Sequence, residues 1–597
     1  MTCGVTSGDV GVDQRSLTRI GVVAVAILAP FVTVLVVVLA AGRWFPAGDM
    51  AQAELHMRGF FSHPPLVGAA GRILTESGVQ GSHPGPSLWV AMLPVYLLGG
   101  RSSGALMVAV SSVHVVSALA AIWLARRRYG WSVAVVVSFV VVAVVRSGGP
   151  DPIVEPWNPW LAVLPFLVFV LIVDEIVHRP VSWRWTVAAV VVGSHCVQCH
   201  AGYALIVGAG LLAVLVVSIR RRGYGPLAAG AGALFAMWLP PLVDQFRREP
   251  GNVSILVDHF GSPTEPTIAI ADALRIVATQ FNVIGPWLLG PGPDRPAETW
   301  ARWPGFVLFV VVVFVARRRA VKTGDRELAG LLVAVAAGFG VAVLSILRLF
   351  GPYFEYTIRW TWILAALGTI GSGLALVRSM RATTVRRAPS LRVWLGGLVV
   401  ASVVTSVSAG VDAKVPGAID SRIVRDLVPQ LEPFVDDDTV LLRFWDPYTL
   451  DATGFGTVLE LERRGHSVRV DPGFAAAALP HRTAVEGDVD QIWWVVVGPV
   501  NDELVRRDDV ERIAFVNPRS ADEQARAERL LVEIEEGLIA TGRAELVAQL
   551  SAPGASLLFA EPPLDPSIAE QIRDLYLLGQ PVGVYVLPEG SDVESLR

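Results

Sequence analysis

Pro86–Gly100 reads PSLWVAMLPVYLLGG, an apolar stretch interrupted by Pro94. A hydrocarbon core about 30 Å thick takes a helix of about 20 apolar residues, and this segment is too short. Whether it crosses decides the side of every later loop. Longer apolar runs fall near 20–41, 103–125, 131–146, 158–177, 184–198, 201–219, 226–241, 303–316, 327–349, 359–378 and 393–410. Arginine-rich loops stay in the cytoplasm. With Pro86–Gly100 uncrossed, Arg126–Arg128, Arg179 with Arg184, Arg220–Arg222, Arg317–Arg319 with Lys322, and Arg378 to Arg392 all fall on one face. Counting it as a span inverts the later loops and breaks that pattern. It therefore reads as an interfacial helix on the outer face. Eleven spans follow, with the N-terminus inside.

Composition agrees. Of 597 residues 53% are hydrophobic and 17% charged, with a mean hydropathy of +0.53, the profile of a polytopic membrane protein. Lysine occurs only at Lys322 and Lys414 while arginine supplies the other basic residues, a bias that with much Ala, Val and Gly suggests a GC-rich bacterial source; a polytopic chain from such a source is expected in the plasma membrane. The first run is too long for a signal-peptide core and lacks a convincing cleavage site, so it reads as a retained helix.

The expected organisation is α-helical and polytopic, ending in an extracytoplasmic α/β domain. Residues 1–19 form a cytoplasmic N-terminus, 20–410 the membrane domain with a first outer loop at 42–102, and 411–597 the outer domain. The tail holds 34 Asp and Glu against 17 Lys and Arg. That acidity suits an exposed surface and argues against nucleic acid as a partner. Strand-like runs at 439–444, 466–470, 491–497 and 582–587 alternate with helical patterns, one of them Thr449–Arg464 ending at Gly465. Trp445, Trp493 and Trp494 are candidates to stack on sugars, against the simpler reading of the Trp493–Trp494 pair as strand core.

His195–Tyr203 reads HCVQCHAGY and contains the c-type haem spacing C-x-x-C-H. It falls in the tight outer turn between the fifth and sixth expected spans, with no haem-sized domain following and no obvious methionine ligand. Two cysteines and two histidines within one helical turn cannot wrap a tetrahedral ion. Cys196 and Cys199 read as small apolar thiols, and no haem is expected. His200, ionisable at an outer helix turn, could face a cavity.

The chemistry points to the first outer loop, GDMAQAELHMRGFFSHPPLVGAAGRI (48–73) followed by GSHPGPSLW (81–89). In a helix over 48–58, Asp49, Gln52 and His56 share one face. Glu54 and Arg58 stand i, i+4 on another, an ordinary helix ion pair. An acidic residue opens this helix just past the first span. A His-Pro element follows, then an interfacial helix ending in Leu-Gly-Gly and a second span ending in Arg-Arg-Arg-Tyr-Gly. The loop resembles the GT-C class of membrane glycosyltransferases, particularly the branch of protein mannosyltransferases and aminoarabinose transferases. In topology the resemblance covers roughly residues 18–380, and its sequence-specific part is mostly 44–130. It departs at Met50, where the class places a second acidic residue.

The resemblance implies transfer of a sugar from a polyprenyl-phosphate donor to a glycan, lipid or protein acceptor of the cell envelope. It also implies a role for Asp49 in acceptor activation or metal binding, and it leads us to expect a further acid near DPIVEPWNPW (151–160), where Glu155 stands. The physics fits independently: a hydroxyl acceptor needs a carboxylate to take its proton, and a departing phosphate needs cations. Arg359 is the preferred phosphate group over Arg101. Asp49, His83, Glu155, His200 and Asp244 are expected to face one outward-opening cavity, with membrane lipid at its side; a divalent cation is left open. The rival classes are a transporter or flippase, which predicts charges near the span midplanes and pseudo-symmetric halves, and a non-catalytic assembly subunit.

Overall fold

The computed structural model describes residues 14–75, 78–263, 265–290, 302–351, 353–383, 390–435, 438–446, 451–551, 557, 564–588, 590 and 592–593. Cys3, the start of the expected cytoplasmic N-terminus and residues 384–389 of the last basic cluster lie outside them. In chain order the helices are α1 (Gln14–Ala40), α2 (Gly48–Arg58), α3 (Ser87–Leu98), α4 (Ser103–Tyr129), α5 (Trp131–Gly148), α6 (Asp151–Val154), α7 (Asn158–Leu161) and α8 (Val163–His178). Next come α9 (Trp183–Cys199), α10 (Ala204–Arg220), α11 (Tyr224–Arg247), α12 (Asn252–Gly261), α13 (Ile270–Gln280), α14 (Pro286–Leu289), α15 (Arg302–Lys322) and α16 (Arg326–Ile346). The last used here are α17 (Trp360–Thr383), α18 (Leu391–Asp412), α19 (Ala418–Val435) and α20 (Ala452–Arg463).

Among the described residues nine helical segments are long and apolar enough to cross a membrane: α1, α4, α5, α7 with α8, α10, α11, α16, α17 and α18. The two other expected spans are helices too. α9 has 17 residues, and α15 ends in the charges of Arg317–Arg319 and Lys322.

The arginine clusters meet at one end of the bundle. Arg128 pairs with Asp174 and Glu175 at 2.7 and 2.9 Å, Arg179 with Glu327 at 3.7 Å, and Arg378 with Asp325 at 2.7 Å. Arg221 donates to the Ile176 and Val177 carbonyls, closing the ends of α8 and α10 on each other. Helix C-termini expose unpaired carbonyls, which cationic side chains satisfy. Both ends of α3 lie at the opposite end. The Ser87 amide donates to Gln198 Oε1 (3.2 Å), while the Tyr96 hydroxyl donates to Glu54 (3.0 Å). At 12 residues α3 measures roughly 18 Å, shorter than a hydrocarbon core about 30 Å thick.

The C-terminal sheet stands over that second end. β1 (Ala70–Leu74) and β2 (Gln80–Ser82) form a small antiparallel hairpin within the first loop. The larger sheet comprises β3 (Thr439–Trp445), β4 (Ser467–Val470), β5 (Gln491–Val497), β6 (Glu511–Val516) and β7 (Val582–Val586), in the order β4-β3-β5-β7-β6. β3, β4 and β5 run parallel, with Val440 opposite Gln491, and β7 lies antiparallel to β5 and β6. The four expected strands are present and β6 is an addition. α20 occupies the described part of the helix expected at Thr449–Arg464, whose start lies outside the described residues. Gly465 takes φ +96°, the left-handed conformation a helix stop favours.

Two readings are corrected. Trp493 is fully buried in the sheet core with its indole donating to Gln491 Oε1 (2.9 Å), and Trp445 is buried as well, so neither offers a face to a sugar. Glu54 does not pair with Arg58. It is fully buried and bonds Arg463 of α20, while Arg58 reaches Glu462 at 3.3 Å. Phe45, Ala51 and Leu55 of the first loop pack among Val424, Leu427, Leu442 and Val458, so loop and sheet share one core. At this seam His63 stacks on His481, ring centres 3.7 Å apart and nearly parallel.

Candidate functional site

α2 begins without a side-chain cap, and its first acidic residue, Asp49, accepts a hydrogen bond from the Trp157 indole at 3.0 Å. Trp157 stands in the turn between α6 and α7, held rigid by Pro156 and Pro159. Asp49, Gln52 and His56 line one cleft with Ala69, Trp89, Pro156, Trp157 and Asn158, so the i, i+3, i+7 face does point into a concavity. Asp49 keeps an open surface to the cleft, yet the protein packed round it raises its carboxyl above the ordinary 3.8.

Glu155 lies two residues before Trp157. Burial first, then the charge of Asp151 and more weakly that of Asp49, pushes its carboxyl from 4.5 to about 8, against the opposing charge of Arg359. Two acids thus share one neighbourhood, both shifted upward by burial, and Asp49 is the one open to the cleft.

Arg359 is buried, its guanidinium 3.4 Å over the Trp160 ring and 5.3 Å from Trp362. Stacking suits a weakly hydrated planar cation. It forms one wall of a small apolar cleft lined also by Phe31, His114, Val144, Leu164 and Trp362. His83 and His200 face each other at 4.7 Å between ring centres. Their Nδ1 atoms accept from the Ala201 and Gly202 amides, which fixes both rings. Burial lowers His83 to about 4, and burial with the charges of His83 and Arg359 lowers His200 well below 6.5, so both are neutral at pH 7. Tyr356 joins the two clusters, 4.9 Å from Trp157 and 5.9 Å from His200.

Five of the seven expected residues therefore gather: Asp49, Glu155, Arg359, His83 and His200. Two do not. Asp244 is buried and accepts from the Asn252 amide at 2.9 Å, tying the end of α11 to the start of α12. Asn252 in turn clasps the Ser82 backbone (2.8 and 3.0 Å), so Asp244 serves the hairpin and not the cleft. Arg101 sits exposed in the turn between α3 and α4 with φ +57°, its guanidinium 6.0 Å from the Phe61 ring. Trp157, Tyr356 and Asp151 were not expected. Their signal was their place within DPIVEPWNPW and YFEYTIRWTW, beside residues already singled out. Among the described residues no group of three or more His, Cys, Asp or Glu side chains is arranged to hold a metal ion. Cys196 and Cys199 are buried free thiols.

The fold defines a multi-pass helical membrane protein carrying a mixed C-terminal sheet. No protein-family model and no curated protein matches the chain. Among solved structures it is similar to ArnT from Cupriavidus metallidurans bound to undecaprenyl phosphate, at 16% identity and a TM-score of 0.49, covering 84% of this chain and 96% of that one. It is also similar to the Archaeoglobus fulgidus oligosaccharyltransferase in the apo form, at 11% identity and a TM-score of 0.44, covering 82% and 70%.

Proposed function

We propose that the chain is an integral-membrane glycosyltransferase that moves a sugar from a polyprenyl-phosphate donor to an extracytoplasmic cell-envelope acceptor. The carrying observation is that Asp49, open to the cleft and bonded to Trp157, and Glu155, whose carboxyl burial lifts to about 8, share one neighbourhood, with the buried Arg359 acting on Glu155. The acceptor hydroxyl oxygen attacks the anomeric carbon as the carbon–oxygen bond to phosphate breaks. Asp49 takes the hydroxyl proton, and polyprenyl phosphate leaves with the bonding electrons. Arg359 faces the charge gathering on that phosphate, where a preorganised cation is most effective. Glu155 donates a hydrogen bond from its retained proton.

In this reading residues 20–410 form the membrane domain and 411–597 lie outside the cell, with the arginine-rich end in the cytoplasm. The test uses the full chain in liposomes with a panel of polyprenyl-phosphate sugars and envelope-glycan acceptors. Asp49→Asn should lower transfer by about 10²–10⁴-fold, the worth of general-base help, with unchanged thermal stability. Full activity in that variant moves the base to another carboxylate. Movement of lipid-linked sugar across the bilayer without transfer, unaffected by Asp49→Asn, would establish the flippase reading instead.

A further inference from the structure

Helix α2 carries Asp49, yet little in α2 itself holds it in place. It has 11 residues and no side-chain cap at its start. A helix this short is marginal alone, so packing must define it. Asp49 and Glu54 are five residues apart, which at about 100° per residue puts them on nearly opposite sides of the axis. Asp49 faces the cleft; Glu54 faces away from it.

What Glu54 meets is a buried chain of alternating charge. Arg463 of α20 bonds Glu54, Glu460 and the Ser103 hydroxyl. Glu460 also takes Arg43 at 2.6 Å, and Glu54 accepts from the Tyr96 hydroxyl at 3.0 Å. Glu54 and Glu460 are wholly buried and the Arg463 side chain is 11% exposed. The C-terminal helix is thus bolted through α2 to α3 and to the start of α4. A second link runs from Arg58 through Glu462 to Arg482. The backbone approaches as closely as the side chains. A Cβ on Gly48, which takes φ +52°, would stand 3.3 Å from that of Ala452, and one on Gly456 would stand 2.9 Å from the Pro46 carbonyl.

We infer that Glu54 and Arg463 are positioning residues that fix the roll of α2 and so set the Asp49 carboxylate in the cleft. The C-terminal region is by this account a working part of the site, in addition to any hold it has on an acceptor. The inference rests on the reading of Asp49 as proton acceptor. Removing one partner of a buried pair strands the other, and α2 can relieve that by rolling, which carries Asp49 away from Trp157. Misplacement of a reacting group by about 1 Å costs on the order of 100-fold in rate.

The bond between Trp157 and Asp49 gives a readout that needs no substrate. Full-length protein labelled with 5-fluorotryptophan is placed in nanodiscs, and the Trp157 resonance is assigned by its loss in Trp157→Phe. Asp49→Asn marks its position when the carboxylate is gone, and a pH titration of the resonance follows Asp49. Arg463→Met should move the Trp157 signal away from its native position and bring the Asp49 midpoint back toward 3.8, with melting of the membrane helices unchanged. Glu54→Asp, which keeps the charge but shortens its reach, should give the same change to a smaller degree. If Arg463→Met fails to fold, Glu54→Asp is the deciding variant. A native Trp157 resonance and native midpoint in a folded variant would overturn the inference. Absence of transfer in the unaltered protein would defeat the functional reading and leave this result standing.

Discussion

Glu155→Gln isolates the energetic cost of the carboxyl pair. Burial and Asp151 lift Glu155 from 4.5 to about 8 in the folded chain. Between those values the folded state holds a proton that the unfolded state has released, so stability falls as pH rises. The contribution is fully present below pH 4.5 and is lost as pH passes through 8. Each pKa unit is about 1.4 kcal/mol, so the full effect is on the order of 5 kcal/mol above pH 8. Glutamine copies the neutral side chain and cannot ionise. Thermal unfolding in detergent from pH 5 to 9 should therefore show the unaltered protein losing midpoint temperature relative to Glu155→Gln as pH rises. Near pH 5 the two should nearly coincide. Parallel curves over the whole range would refute the assignment of a proton to Glu155 and with it the division of roles between the acids.

Leu55→Ala removes a fully buried side chain from the core shared by the first loop and the sheet; a cost of about 2–5 kcal/mol is expected, read as earlier proteolysis of the C-terminal region. Burial, aided by the charges of Arg482 and His63, lowers His481 to about 4. Its contribution is present above pH 6.5 and lost as pH falls through 4, so amide exchange at residues 59–64 and 480–483 should quicken toward pH 4. His481→Phe, which keeps a stacking ring but cannot protonate, should flatten that response.

The membrane helices were legible because an apolar run of sufficient length has few other fates, and the arginine clusters supplied a check from independent loops. The same reasoning marked Pro86–Gly100 as too short to cross, and the helix found there has 12 residues. Partners separated by hundreds of residues were not legible. Arg58 offered Glu54 an acceptable local ion pair, and nothing in the sequence marked Arg463 as the better one. Asp244 showed the right charge at a helix end, but its amide partner at Asn252 is set by the turn between α11 and α12. β6 (ERIAFV) begins with two charged residues, which hid a short strand paired with the last one. Asp49 and Glu155 were singled out by the resemblance and Arg359 by the need for a phosphate partner, whereas nothing in the sequence showed that Trp157 and Tyr356 stand between their surroundings.

The junction of α2 and α20 also imposes an order in time. Glu54 and Arg463 are 409 residues apart. At the ~5–20 residues per second at which chains are made, roughly 20–80 s separate them on the ribosome. Throughout that interval the nascent first loop carries a carboxylate without its arginine and a helix face without its core. A partly made chain would therefore have its membrane helices before the seat of α2, and with it the cleft that Asp49 lines, is complete.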